Sequence, residues 1–332
     1  MTRVWFNHWF STAYYLIELM KKDESDIYVI GSNRQIDSVI SKVCDEWYKD
    51  ADLSGEAYVD YAIDFCREHK IDVFVPRRQM VEISKAKKRF EDMGVKVLVD
   101  DYDTIELLND KAKTYEYLRS CESLYIPEYF MVNNVEQFKE AYKALSEKYE
   151  QVCVKFVRDE GAMSYRRLVK QVSSFDKIRV YNGAEMEYQV YEEILAEKGE
   201  FDDLMVMPYL PGYEISVDCL STDAGLIAIP RFKTSGRHEY VRFDEGILKM
   251  AEEIMVKTKL QCPCNIQFKL KGEIPYLLEI NTRMSGGLQM GCMAAGVNIP
   301  NIALNKLLGK SKAWTIDKSE KTVSHIEMPV II

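Results

Sequence analysis

Late in the 332-residue chain, two runs of alternating polar and apolar residues lie close together. In the first, Asn265, Gln267 and Lys269 fall on one face of a strand, with Ile266, Phe268 and Leu270 on the other. In the second, Glu279 and Asn281 oppose Tyr276, Leu278 and Ile280. Gln267 and Glu279 are an even number of residues apart, so a hairpin with a three-residue turn at 272–274 sets them face to face. The result is a patch of side-chain oxygens from Gln267, Glu279 and Asn281, the donor type that Mg²⁺ takes when phosphate oxygens complete its shell. Arg283 follows, a guanidinium able to neutralise charge on a transferring phosphoryl group, and Ser285, Gly286 and Gly287 then permit close backbone approach. A solvated hairpin face explains any one of these residues. The whole run Glu-Ile-Asn-Thr-Arg-Met-Ser-Gly-Gly at this spacing favours a metal-triphosphate platform.

Lys155 sits inside the apolar strand Val152-Cys153-Val154-Lys155-Phe156, where an unpaired ammonium is costly unless it snorkels or meets an anion such as phosphate. The alternative is an edge-strand lysine that blocks aggregation. Lys111 opens a helix and is a weaker signal. Glu214, Ser216 and Asp218 share the polar face of a strand that follows the apolar run 205–210, a surface able to floor a nucleotide cleft or simply to face solvent. Arg231, Lys233 and Arg237 form a basic cluster that is either solvated or able to hold an anionic substrate. Arg77 and Arg78 follow a strand that ends at Pro76, where α/β sheets present ligands. Cys262 and Cys264 lack a second ligand pair, so packed thiols are expected in place of zinc, and the four histidines show no ligand spacing.

The elements that must position these residues divide the chain in three. Short apolar strands at 4–6, 27–30, 73–75 and 95–99 alternate with amphipathic helices, which predicts a doubly wound α/β domain over 1–103. Capping-box spacings at Asp103/Glu106 and Asn133/Glu136 open helices in a second domain, 104–206, with a strand at 152–157. Hairpin-rich α+β structure fills 207–332, with strands at 213–220, 226–233, 265–270 and 276–281, and ends in helices, one capped by Asn298 and closing at Gly309. Acids outnumber bases 53 to 44, so no global positive field gathers nucleic acid. No apolar run approaches the roughly 18 residues of a membrane span. No secretory signal is read at the N-terminus, and eight scattered cysteines suit reduced thiols, so a cytoplasmic location is expected.

With these residues in view, positions 1 to 309 resemble the ATP-grasp superfamily, in the branch similar to biotin carboxylase and the carbamoyl phosphate synthetase large subunit. The resemblance implies an N-terminal α/β domain followed by two subdomains that clamp ATP. It implies that Lys111 and Lys155 bind phosphates, that Met207, Pro208, Tyr209 and Leu210 line the adenine hinge, and that Glu214 meets the ribose. By the same resemblance Gln267, Glu279 and Asn281 would face magnesium, with manganese an admissible substitute, and Arg283 would sit at the reacting carboxylate or phosphate. Arg231, Arg237, Ser285 and Gly286 are candidates for the substrate. Three departures stand out: the phosphate-covering loop 158–167 holds a single glycine, Gln267 replaces the carboxylate of many relatives, and Thr282 replaces the usual proline before the arginine. The implied activity is an ATP-dependent ligase that joins a small-molecule carboxylate to an amine through an acyl phosphate. The alternatives are an ATP-binding module without turnover, suggested by the glycine-poor loop, and a partner-dependent subunit. A homodimer is expected by family analogy alone.

Overall fold

The computed structural model describes residues 1–7, 10–22, 26–158, 163–170 and 184–332. By internal contacts it divides into two units. The first comprises Met1–Leu108, Tyr213–Phe268 and Leu278–Ile332; the second comprises Asn109–Gly212 and Lys269–Leu277.

In the first unit, β1 (Thr2–Phe6), β2 (Ile27–Asn33), β3 (Glu46–Lys49), β4 (Val73–Val75) and β5 (Lys96–Val97) form a parallel sheet in the order β3-β2-β1-β4-β5. Helices cover both faces, which is why β1 and β4 read as continuous apolar runs. Val4 and Phe6 point into a core with Leu16, Ile17 and Met20. Trp5 points the other way and stacks on Phe65 and Phe74, with centroids 4.3 and 4.1 Å apart. The sequence missed β3 because Glu-Trp-Tyr-Lys is a half-buried edge with no clean alternation. The strand expected at 95–99 is paired only at Lys96–Val97. The helix placed behind the Asp103/Glu106 box begins at Tyr102, so Asp103 lies in its first turn and is not its cap.

The second unit contains β6 (Phe130–Val132), β7 (Val152–Phe156), β8 (Arg166–Val169), β9 (Glu185–Glu187) and β10 (Leu204–Pro208), in the order β6-β10-β7-β8-β9. One face packs Val152, Val154, Leu204 and Val206 on Phe138 and Leu145 of the helix Val135–Ser146. That helix opens one residue later than the expected box. Asn134 accepts from Gln137 N at 3.0 Å, while Gln137 Oε1 accepts from Asn133 N at 3.1 Å. Such a cap contributes about 1 kcal/mol.

The third sheet runs through β11 (Glu214–Thr222), β12 (Gly225–Lys233), β13 (His238–Val241), β14 (Cys264–Lys271), β15 (Ile274–Asn281) and β16 (Lys321–Ser324), in the order β15-β14-β11-β12-β13-β16. The chain therefore does not end in helices, because β16 follows them as an edge strand. Leu220, Ile227, Ile229 and Val241 of this sheet share one core with Leu16 and Ile17 near the N-terminus and with Ile302 and Ala303 of the helix Ile299–Leu307. Hence the first and last thirds of the chain form one compact unit. The β14–β15 turn is also shorter than expected. It holds two residues, Gly272 and Glu273, so the parity that would set Gln267 directly opposite Glu279 does not hold; Gly272 takes φ +61°, a conformation that favours glycine. In β15 the buried residues Leu277 and Ile280 are three apart, so strict two-residue alternation slips between them.

Candidate functional site

In the second unit, Lys155 lies on β7 between β10 and β8, so the edge-strand explanation fails. Its register partner is Met205, and that of Cys153 is Met207. These four residues occupy the sheet face opposite the core, and all are buried, Lys155 to 7% exposure. The Lys155 ammonium lies 5.9 Å from the centre of the Tyr115 ring. Tyr115 stands one turn on from Lys111 in the helix Lys111–Leu118, which opens where Asp110 accepts from Lys113 N at 3.0 Å. Lys111 Nζ reaches Val157 O at 3.3 Å, just past the end of β7. One helix face thus gathers both lysines against the same sheet. Both ammonium groups are buried there, Lys111 on the helix and Lys155 on the strand.

Met207 and Pro208 close β10, and Tyr209 N donates to Gln151 O at 2.9 Å, so the segment after the strand is held straight. The Arg167 guanidinium lies 5.0 Å from the Tyr209 ring centre, and Leu210 is buried. Burial pushes the Cys153 thiol up to about 12, which keeps it uncharged beside Met205 and Met207. The resulting face is soft and apolar, suited to a flat ring. Of the loop 158–167, residues 159–162 lie outside the described residues, and with them the expectation about its closure.

The first unit carries the other candidates. Asn281 Nδ2 donates to Glu279 Oε1 at 3.1 Å, and Arg283 Nη2 donates to Asn281 Oδ1 at 3.2 Å. Glu279, Asn281 and Arg283 therefore form one line along the end of β15. Gln267 Nε2 donates to Asn265 Oδ1 at 3.2 Å, so these two share a face of β14. The donor set is all oxygen, a carboxylate and two amides, which fits Mg²⁺ better than a softer metal. The expected basic cluster is dispersed. Lys233 pairs with Glu214, and Arg237 is exposed and pairs with Glu327 at 3.2 Å. Arg231 is buried to 2% exposure, with ion pairs to Asp218 and Glu239. Gly286 is exposed, and a Cβ there would sit 3.3 Å from Thr12 Oγ1 in the segment after β1.

A family model described as ATP-grasp in the biosynthetic pathway with Ter operon matches residues 200–329. The carbamoyl phosphate synthase large chain of Clostridium acetobutylicum is 24% identical over 323 residues, covering 91% of this chain and 28% of its own length. The biotin carboxylase domain of Hydrogenobacter thermophilus 2-oxoglutarate carboxylase, solved with MgADP, ADP and bicarbonate, matches with TM-score 0.68 at 18% identity, over 95% of this chain and 71% of that one. N5-carboxyaminoimidazole synthetase from Staphylococcus aureus, complexed with ADP, matches with TM-score 0.72 at 14% identity, over 98% and 82%. The chain has the ATP-grasp fold, and residues 200–329 match an ATP-grasp family model. It spans under a third of the length of the curated carbamoyl phosphate synthase chains it matches.

One part of this ATP-grasp chain escaped the sequence reading. Ser216 and Asp218 were legible as a polar face, but they are 1% and 0% exposed and do not face solvent. They meet Asn265, Arg231 and Ser285 in a buried hydrogen-bonded cluster. The available signal was charge on a strand that is otherwise apolar, since a buried aspartate needs donors from neighbouring strands. Arg78 is likewise buried and tied to Asp50, Ala51 O and Leu53 O. Asn7, straight after β1, accepts from Arg77 N at 2.6 Å. These contacts brace the carboxyl ends of the N-terminal strands.

Proposed function

We propose that this protein of the ATP-grasp fold is an ATP-dependent ligase that activates a small-molecule carboxylate and passes it to an amine or similar nucleophile. The carboxylate oxygen attacks the γ-phosphorus of ATP, the bridging bond breaks and ADP leaves. The amine then attacks the acyl carbon, phosphate departs with the bonding electrons and the nitrogen loses a proton. The observation that carries this reading is the line of Glu279, Asn281 and Arg283 at the end of β15, linked at 3.1 and 3.2 Å. A carboxylate, an amide and a guanidinium in that order bring a cation site and a fixed positive charge to the same few ångströms.

Lys111 and Lys155 are assigned to the phosphates, Met207, Pro208, Tyr209 and Leu210 to the adenine, and Glu214 to the ribose. Glu279, Asn281 and Gln267 would hold Mg²⁺, or Mn²⁺ in its place, which when bound offsets charge on the phosphate oxygens. Arg283 would stabilise the transferring group, and the exposed Gly286 and Arg237 are assigned to the substrate, since the Ser285 hydroxyl is buried on Asp218. The chemistry is positioning and charge neutralisation, and no enzyme nucleophile takes part. Functionally the chain is read as three segments, 1–103, 104–206 and 207–332, acting in the cytoplasm as a homodimer.

ADP release measured across a panel of carboxylates paired with amines tests the reading. Stimulated release by the native chain and its loss in Glu279→Ala are expected. Full turnover by Glu279→Ala overturns the assignment, and tight MgATP binding with no stimulated release by any pair leaves a nucleotide-binding module instead.

A further inference from the structure

We propose that Arg231 is a positioning residue. Acting through Asp218, Ser285 and Asn265, it fixes the segment that follows Arg283 and turns the amide oxygen of Gln267 away from Asn265; its effect on metal-nucleotide binding rests on the ligase reading above. Asp218 is fully buried, and its two oxygens take three donors: Arg231 Nε on Oδ2 at 2.8 Å, and Asn265 Nδ2 and Ser285 Oγ on Oδ1 at 2.8 and 2.7 Å. An ionised carboxylate can only accept, so each neighbour must present a proton to it.

That requirement propagates. Asn265 turns its NH₂ to Asp218, and also to Ser216 Oγ at 2.9 Å, so Oδ1 is its acceptor side, facing Gln267 and within 3.2 Å of the Ser216 hydroxyl as well. Gln267 must then offer its own NH₂, at 3.2 Å, which directs Oε1 away from Asn265. Ser285 spends its single proton on Asp218 and so accepts from Arg231 Nη2 at 3.0 Å. Nη2 also reaches Ser216 Oγ at 3.2 Å, and Nη1 is held by Glu239. The guanidinium therefore lies clamped on three sides, and it forms the floor beneath Gly287, where a Cβ would come within 2.3 Å of Nη1. One buried cation thus sets both the loop after Arg283 and the facing of Gln267. A lysine could not, since a single ammonium lacks the planar fork.

Calorimetry with MgADP and with metal-free ADP, and hydrogen exchange of the amides at 282–290, test this in Ser285→Ala, Arg231→Lys and the double variant. Each single change is expected to weaken MgADP about five- to tenfold, the worth of one buried hydrogen bond, while metal-free ADP binds as before and the 282–290 amides exchange faster. The double variant is expected to lose no more than the larger single loss, because both changes break one network. Equal loss of both nucleotides, additive losses, or unchanged exchange in folded variants overturns the proposal. Should Arg231→Lys fail to fold, Ser285→Ala gives the same readings alone. A native chain that binds neither nucleotide sinks the ligase reading, and the exchange measurement then decides the positioning role by itself.

Discussion

Gly287 lies so close to the guanidinium of Arg231 that a Cβ at that position would fall 2.3 Å from Nη1. The backbone of Gly287 is unstrained, with φ at −103°, so its glycine is there for space and not for conformation.

The neighbouring Gly286 makes the comparison sharp, since the nearest atom to its added Cβ is Thr12 Oγ1 at 3.3 Å. Gly287→Ala must displace an arginine held by Asp218, Glu239, Ser216 and Ser285, and is expected to lower stability by roughly 1–3 kcal/mol. Gly286→Ala is expected to stay within about 0.5 kcal/mol of the native chain. Urea unfolding of both variants checks this, and equal midpoints would count against a rigid Arg231.

Lys155 separates binding from folding. It is buried beside Met205 in the middle of its sheet, and Lys155→Met removes the charge while keeping the volume. Thermal unfolding is expected to remain a single cooperative transition, while affinity for ATP drops at least about tenfold, the effect of losing a charged hydrogen bond to phosphate. Calorimetry reads the second quantity. A variant that binds ATP as well as the native chain removes Lys155 from the phosphate site.

Alkaline pH should unfold the protein through its buried thiols. Burial pushes Cys44, Cys153 and Cys292 up to about 12 from an ordinary value of 9.0. Between those values the unfolded chain has lost protons that the folded chain retains, so stability falls as pH rises. The stabilisation is whole below pH 9 and lost towards pH 12. Denaturant midpoints across that window check the slope, and Cys153→Ala should flatten it. Slow alkylation of the native thiols at pH 8 is the companion expectation.

Much of this architecture was readable from apolar periodicity, as at β4 and β12, where burial on both faces leaves an unmistakable run. Edge strands were not, because β3 and β16 owe their place to pairing with β2 and β13 and not to their own composition. The hairpin was seen but its turn was miscounted, since Gly272 adopts φ +61° and closes two residues where parity suggested three. Of the candidate site, residue types and order along the strand were legible at Glu279, Asn281 and Arg283. The pairing of Arg231 with Asp218 was not, because it is made across strands whose register the sequence does not state.

Gln267 offers a test in which metal and stability pull in opposite directions. Its Nε2 donates to Asn265 Oδ1, and Asn265 cannot turn over because its own NH₂ is taken by Asp218 and Ser216. Gln267→Glu therefore sets a carboxylate oxygen against a carbonyl oxygen, which keeps only its second donor, Ser216 Oγ at 3.2 Å. Without metal the variant is expected to be less stable by about 1–3 kcal/mol, the cost of an unsatisfied polar pair. With Mg²⁺ and ADP the added charge joins that of Glu279, so the bound cation gains a second anionic ligand and the loss should shrink or reverse. Thermal melts of native and variant chains, with ADP alone and with MgADP, give the comparison directly. If magnesium raises the two melting temperatures by the same amount, Gln267 does not face the cation, and the metal site must be rebuilt around Glu279 and Asn281 alone.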